Sequence, residues 1–475
     1  MAAAAEVEAP RPRGNALEEY FKFAERGTNL ATEARAGLTT FMVMAYIIFL
    51  NPAILTAGFK TADPAFTATA LAAATALVAG IMTIAMGVVG NYPFALAAGL
   101  GINAIVAFGL TGQGLTPAGA MGVIVWEGLA VTVLVVVGLR EAIMNAVPIA
   151  LKRAIGVGIG LFILFIGFAN GGLIVSGCAP DSATLGFCNG TLVTPSYPTS
   201  PGQFVFLIGL AITIALWALK IRAALVISIL VTTVIGLIPG ALGYPAVTTL
   251  PSEISLAPSF STLGHFDLGN VWTLPVFVAI LTIFAIMLTD FFDTMGTVTG
   301  VAAEAGLARP DGTVPGVGRV LLVDSIAAAV GGAAGTSSNT TYIESAAGVA
   351  EGGRTGFTSV VVGGLFLLAI FLSPIAGIIP GVATAPALVL VGFLMFTLVK
   401  DIPVADIEDG LPALLTMILM PLTYDITVGI GAGFISWVLL KVVRGKLAEI
   451  HPLMWVVSIA FVVYFANNWL QTLIH

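Results

Sequence analysis

From residue 36 to residue 472 the chain is a succession of apolar runs, most of them roughly 17 to 25 residues long, the length a helix needs to cross the hydrocarbon core of a bilayer. None alternates with the period of two that a lipid-facing strand shows, so the predicted class is an all-α polytopic membrane protein rather than a barrel. The scarcity of charge agrees. Only 9% of the 475 residues are Asp, Glu, Lys or Arg, 58% are apolar, and mean hydropathy is +1.05. So few charges cannot cover a water-facing surface, which excludes a soluble enzyme and a nucleic-acid binder.

Fifteen candidate spans can be drawn, from 36–57 to 452–472, and several, such as 319–332, 336–349 and 409–422, are too short to cross alone. With the amino terminus inside and a crossing at each candidate, all of the 18 Lys and Arg except Lys60 fall on the inner side. That bias supports both the segment order and the orientation, and predicts a plasma (inner) membrane protein with a cytoplasmic amino terminus. Fourteen crossings leave the carboxyl terminus inside and fifteen leave it outside, the undecided segments being 409–422 and 452–472. The polar residues 1–35 carry no cleavable signal and read as a cytoplasmic tail. The outer stretches 171–202 and 244–271 hold no Lys or Arg and read as connectors. Cys178 and Cys188 share the first of them, either as a disulfide in an oxidising space or as two thiols.

A faint internal repeat lays Thr39 to Gly58 on Leu281 to Gly300, pairing Thr40 with Thr282, Phe49 with Phe291, Asn51 with Asp293 and Gly58 with Gly300. More telling, the interrupted segments 91–110 and 336–349 are each third from the start of their half. Paired short or Gly/Pro-interrupted segments at corresponding positions point to a transporter binding site. Halves of seven spans, an odd number, lie in opposite orientations.

In the first interrupted segment Pro93 disfavours helix, and Gly99 and Gly101 permit bends, which predicts a short extended piece and then a half-helix starting near Gly99. Extended backbone at mid-membrane needs a partner, and the β-prone run Thr336 to Ile343 is the natural one; it leads into a second half-helix opened by Glu344. The bland reading is a Gly/Ser helix-packing interface, which does not require the Thr/Ser/Asn run. Asp290 and Asp293 lie inside an apolar span at i and i+3, so both carboxyls share one helix face. An aspartate there costs about 2.5 to 3.5 kcal/mol on insertion scales, which marks the pair as candidate proton carriers or a substrate clamp, with carboxylates capped by nearby donors as the alternative. Asn103 offers a donor and an acceptor to an amide-like edge, or an interhelical hydrogen bond. Phe94, Phe291 and Phe292 could stack on a flat ligand or simply pack. Asp324 reads as core scaffolding and Asp425 as a span-end residue, while Glu127 carries no assigned role. His265, His451 and His475 lie outside the spans and form no metal set, so neither metal nor cofactor is expected.

The strings running from Phe94 to Ala104, from Leu288 to Thr297 and from Gly335 to Gly356 resemble the azaguanine-type purine nucleobase permeases, a branch of the nucleobase/ascorbate transporter superfamily. The likeness runs from about Glu19 to the terminus; Ala98 departs from it, standing where related motifs often have Pro. The resemblance implies a seven-plus-seven inverted repeat with two half-helices, each preceded by a short β-strand. A core domain would hold 36–138 and 272–373, a gate domain 139–245 and 374–475, with 246–271 an external loop. It also implies proton-coupled uptake of hypoxanthine, guanine or adenine, with binding groups at Asn103, Asp290, Asp293 and Glu344. The partners expected are a purine nucleobase, a proton in preference to sodium, the lipid bilayer and, as a candidate assembly, a second copy of the chain; no nucleic acid is expected. Protonation within Asp290, Asp293 and Glu344 would complete the loaded state, because an ionised empty site resists passage through a dry barrier. The competing readings are an anion transporter of the same architecture, which three acids oppose, and a channel. An intramembrane enzyme would need a nucleophile, base and orienting group, and none is visible.

Overall fold

The computed structural model describes residues 16–59, 63–138, 147–176, 193–250, 257–309 and 313–474. Arg11, Arg13, Lys60, Arg140, Cys178, Cys188 and His475, which enter the readings above, lie outside the described residues. Among those described, ten helices are long and apolar enough to cross a membrane, as a multi-pass protein requires.

In chain order the first half holds α1 (Leu30–Met44), α2 (Ile47–Gly58), α3 (Ala68–Ala85), the strand β1 (Leu96–Ala98), the short α4 (Leu100–Ala104), α5 (Pro117–Val137), α6 (Ile149–Asn170), β2 (Ile174–Ser176), β3 (Val193–Pro195), α7 (Pro201–Ala218) and α8 (Ala224–Ile235). The second half holds α9 (Val276–Glu304), α10 (Val317–Ala333), β4 (Asn339–Thr341), the short α11 (Ser345–Ala350), α12 (Gly356–Ala369), α13 (Gly381–Phe396), α14 (Ile407–Thr423), α15 (Ile426–Val443) and α16 (Pro452–Ile474). Local chemistry sets the starts. Thr67, Thr116 and Ser200 accept hydrogen bonds from the N–H groups of Ala70, Gly119 and Gln203, and Pro117 and Pro201 occupy first turns, where a missing donor costs nothing.

Two packed groups result. In one, α3 lies on α12, α5 on α10, and α1 on α11 and α12; in the other, α6 lies on α13 and α14, while α7 lies on α8 and α13. Small residues allow the close crossings that helices in lipid rely on. A Cβ on Gly128 of α5 would stand 2.3 Å from the backbone nitrogen of Ala329 on α10, so these two helices meet backbone to backbone. The two segments undecided in the span count separate clearly. α14 turns back into α15 through Tyr424, whose φ is +57°, forming an antiparallel hairpin, and α16 is a further helix laid against α15 and α9.

Candidate functional site

Both interrupted segments meet at the centre of the first group. β1 and β4 pair antiparallel, Leu96 opposite Thr341, Ala97 opposite Thr340 and Ala98 opposite Asn339. The ladder continues at each end, where Gly99 N–H donates to Ser338 O at 2.8 Å and Tyr342 N–H to Ala95 O at 2.9 Å. A two-stranded ribbon has two open edges, and in an apolar interior each unpaired backbone group is costly. Side chains close them. Thr83 Oγ1 accepts from Leu96 N–H at 2.9 Å and donates to Leu96 O at 3.0 Å, Ser345 Oγ accepts from Ala95 N–H at 3.0 Å, and Asp324 Oδ1 accepts from Thr341 N–H at 2.9 Å. Asp324 also accepts from the hydroxyls of Thr341 and Thr294, both at 2.7 Å, so its carboxylate is a scaffold for the ribbon.

Each strand hands on to a short helix. Gly99 stands at the N-cap of α4, and Glu344 at the N-cap of α11. Asn103, in α4, is completely buried, and among the described residues neither its Oδ1 nor its Nδ2 has a hydrogen-bond partner. Glu344 is half-buried, and its Oε1 accepts from the hydroxyl of Tyr46 at 2.7 Å. Tyr46 sits in the break between α1 and α2 with its ring wholly enclosed. Asp293, near the midpoint of α9, is exposed. One turn earlier Asp290 is buried; its Oδ2 accepts from Ser338 Oγ at 3.0 Å, while Oδ1 has no donor among the described residues. Glu127 of α5 is completely buried beside it, with no donor at either oxygen among the described residues. Asp290 lies within electrostatic reach of Glu127, Asp293 and Asp324, Asp324 within reach of Glu127 and Asp293, and Glu344 within reach of Asp293.

Asn103, Asp290, Asp293 and Glu344 thus stand on segments that converge around the ribbon. The two candidate aromatic rings are placed differently. Phe291 is buried in the main apolar core, whereas Phe94 is fully enclosed in a second cluster and stacked on Tyr92 with ring centroids 5.0 Å apart. Three participants were not singled out from sequence: Tyr46, Glu127 as the neighbour of Asp290, and Ser338. A tyrosine inside an apolar span is itself a signal, because its hydroxyl needs a partner once buried.

The Permease family model, Xan_ur_permease, matches residues 32–432. A guanine/hypoxanthine permease of Bacillus subtilis, PbuG, is 39% identical over 94% of this chain and 99% of its own length. The adenine permease AdeP of Escherichia coli is 39% identical over 94% of this chain and 95% of its own. Among solved structures, the transmembrane domain of a cyanobacterial bicarbonate transporter, BicA, superposes with a TM-score of 0.60 at 15% identity, over 85% of this chain and 97% of that one. The murine anion transporter Slc26a9 gives 0.60 at 12% identity, over 92% of this chain and 73% of that one. At such identities the structures establish a shared fold.

Proposed function

The chain belongs to the Permease family, and from that we propose that it is a secondary-active permease taking up purine nucleobases, hypoxanthine, guanine or adenine, by proton symport. The names of its relatives support the substrate class. The observation that carries the chemistry is the set of polar groups around the ribbon: an exposed Asp293, a half-buried Glu344 steered by Tyr46, and an Asn103 whose buried amide has no partner among the described residues. A purine presents adjacent ring N–H donors and acceptors along one edge, which carboxyl and amide groups can match in pairs. Acids at this position disfavour an anion as substrate.

In this reading the group containing α1 to α5 and α9 to α12 is the core domain and the group containing α6 to α8 and α13 to α16 the gate. The core carries the base across a plasma membrane, the amino terminus lying in the cytoplasm. A proton suits carboxyls that no Lys or Arg neutralises: the ion pairs among the described residues all lie elsewhere. The test is uptake of radiolabelled hypoxanthine at varied external pH, with competition by a panel of purines and pyrimidines. Purines alone are expected to compete, and Asp293→Asn and Glu344→Gln are expected to lose uptake. Unchanged uptake by both variants would overturn the reading.

A further inference from the structure

Asp293 is exposed and Glu344 half-buried, whereas a second pair of carboxyls is buried. Glu127 projects from α5 and Asp290 from α9, both essentially without solvent contact. Their carboxyls are within hydrogen-bonding reach of each other. Around the pair the described structure provides one donor, Ser338 Oγ on Asp290 Oδ2; Asp290 Oδ1 and both oxygens of Glu127 have none. The other ionisable groups that face the pair are Asp324 on α10 and Asp293 on α9, both acids. Asp324 is satisfied by two threonine hydroxyls and a backbone N–H, as an ionised carboxylate would be. Two carboxylates are acceptors only, so Glu127 and Asp290 can join only when one of them carries a proton. Ionised together, they would stand as uncompensated buried charges beside a third. A metal is a poor substitute, since among the described residues no three His, Cys, Asp or Glu converge to hold one.

We propose that Glu127 and Asp290 are the site of the transported proton, one carboxyl donating to the other, and that Asp293 and Glu344 hold the base. This rests on the reading of the chain as a proton-coupled purine permease. Binding of the proton converts two carboxylates into a single hydrogen-bonded monoanion; release restores both. The structure also provides a mechanical link between the two sites. Ser338 donates through its hydroxyl to Asp290, while its carbonyl accepts from Gly99 N–H at the N-cap of the helix bearing Asn103. A change in the charge of the pair is therefore felt one residue from the ribbon, and a base seated against Asn103 is felt at the pair.

The experiment uses the full-length protein in proteoliposomes, measuring hypoxanthine accumulation under an imposed pH gradient, dye-reported proton uptake, and substrate counterflow. One proton per base allows about tenfold accumulation per pH unit, since a factor of ten corresponds to 1.36 kcal/mol. Glu127→Gln keeps a hydrogen-bonding side chain but cannot titrate. Its accumulation ratio is expected to fall to about one and its proton uptake to vanish, while counterflow, which needs no net proton movement, persists. Gradient-driven accumulation by Glu127→Gln with the wild-type pH profile would overturn the proposal. Should that variant fail to fold, Glu127→Asp decides: accumulation with a displaced pH profile supports the pair, and an undisplaced profile refutes it. If the wild-type protein transports no purine at any pH, the permease reading falls and the proposal with it; a wild type that accumulates hypoxanthine beside an equally coupled Glu127→Gln removes the proposal alone.

Discussion

Tyr46 shows how one side chain can decide what a carboxyl offers to a ligand. Its hydroxyl donates to Glu344 Oε1, leaving Oε2 to a ligand, and its buried ring fixes the direction of that bond. A single hydrogen bond of this kind contributes about 0.5 to 1.5 kcal/mol net, more when the acceptor is charged. Tyr46→Phe keeps the ring and removes the donor. The expected result is a rise of roughly three- to tenfold in the KM for hypoxanthine uptake, with thermal stability nearly unchanged, because the packing survives. Kinetics of radiolabelled uptake beside a thermal unfolding curve in detergent would check this. A variant that unfolds early at unchanged KM would show Tyr46 to be packing and not a positioning group.

The α14–α15 hairpin carries its own electrostatic clasp at its open end, with Glu408 standing just ahead of the apolar run 409–422. Glu408, in the first turn of α14, accepts from Lys441 Nζ at 2.7 Å, Lys446 Nζ at 2.7 Å and Arg444 Nη1 at 2.5 Å, three cations gathered at the far end of α15. Hydrogen bonds from Lys441, Lys446 and Arg444 hold its carboxyl down at about 2, below its ordinary 4.5. A depressed folded-state value means the carboxylate is favoured in the folded chain, so the contribution is fully present above pH 4.5 and is lost as pH falls towards 2. Glu408→Gln is expected to lower the thermal midpoint at neutral pH and to lessen its fall across that acid window, as detergent unfolding curves at stepped pH would show. Elements of this kind also mark what could be read from residues alone. The interrupted segments were legible because Pro93, Gly99 and the Thr/Ser/Asn run break helix locally, and the strands lie within one or two residues of the stretches they indicate. Asp290 and Asp293 were legible because charge inside an apolar run is rare. The partnership of Glu127 with Asp290 was not, since it depends on how α5 and α9 cross, which no local period encodes. Nor was the stacking of Phe94 on Tyr92, because an aromatic in a run apolar on all sides has no face marked by pattern.

Glu351 closes α11 in one packed group and forms an ion pair with Arg222, which stands just before α8 in the other. Arg35 of α1 approaches the same carboxylate at 3.4 Å. Both arginines are largely exposed, so the contact adds on the order of 0 to 1 kcal/mol to stability and weakens in salt. Its significance lies in what it joins. If the groups move against each other to carry a base across, a link between α11, which bears Glu344 at its head, and α8 must form and part in every cycle. A weak tie suits that duty, since one worth several kcal/mol would hold the protein in a single arrangement. Glu351→Gln is therefore expected to leave the thermal midpoint within the range of a neutral surface substitution, while changing the maximal uptake rate severalfold at similar KM. The paired variant Arg222→Cys with Glu351→Cys takes the test further. Oxidised, it should halt uptake while hypoxanthine binding persists, and reductant should restore transport. Uptake that continues through the crosslinked form would mean that the two groups stay fixed to each other at this point, and that the base crosses by some movement within the first group alone.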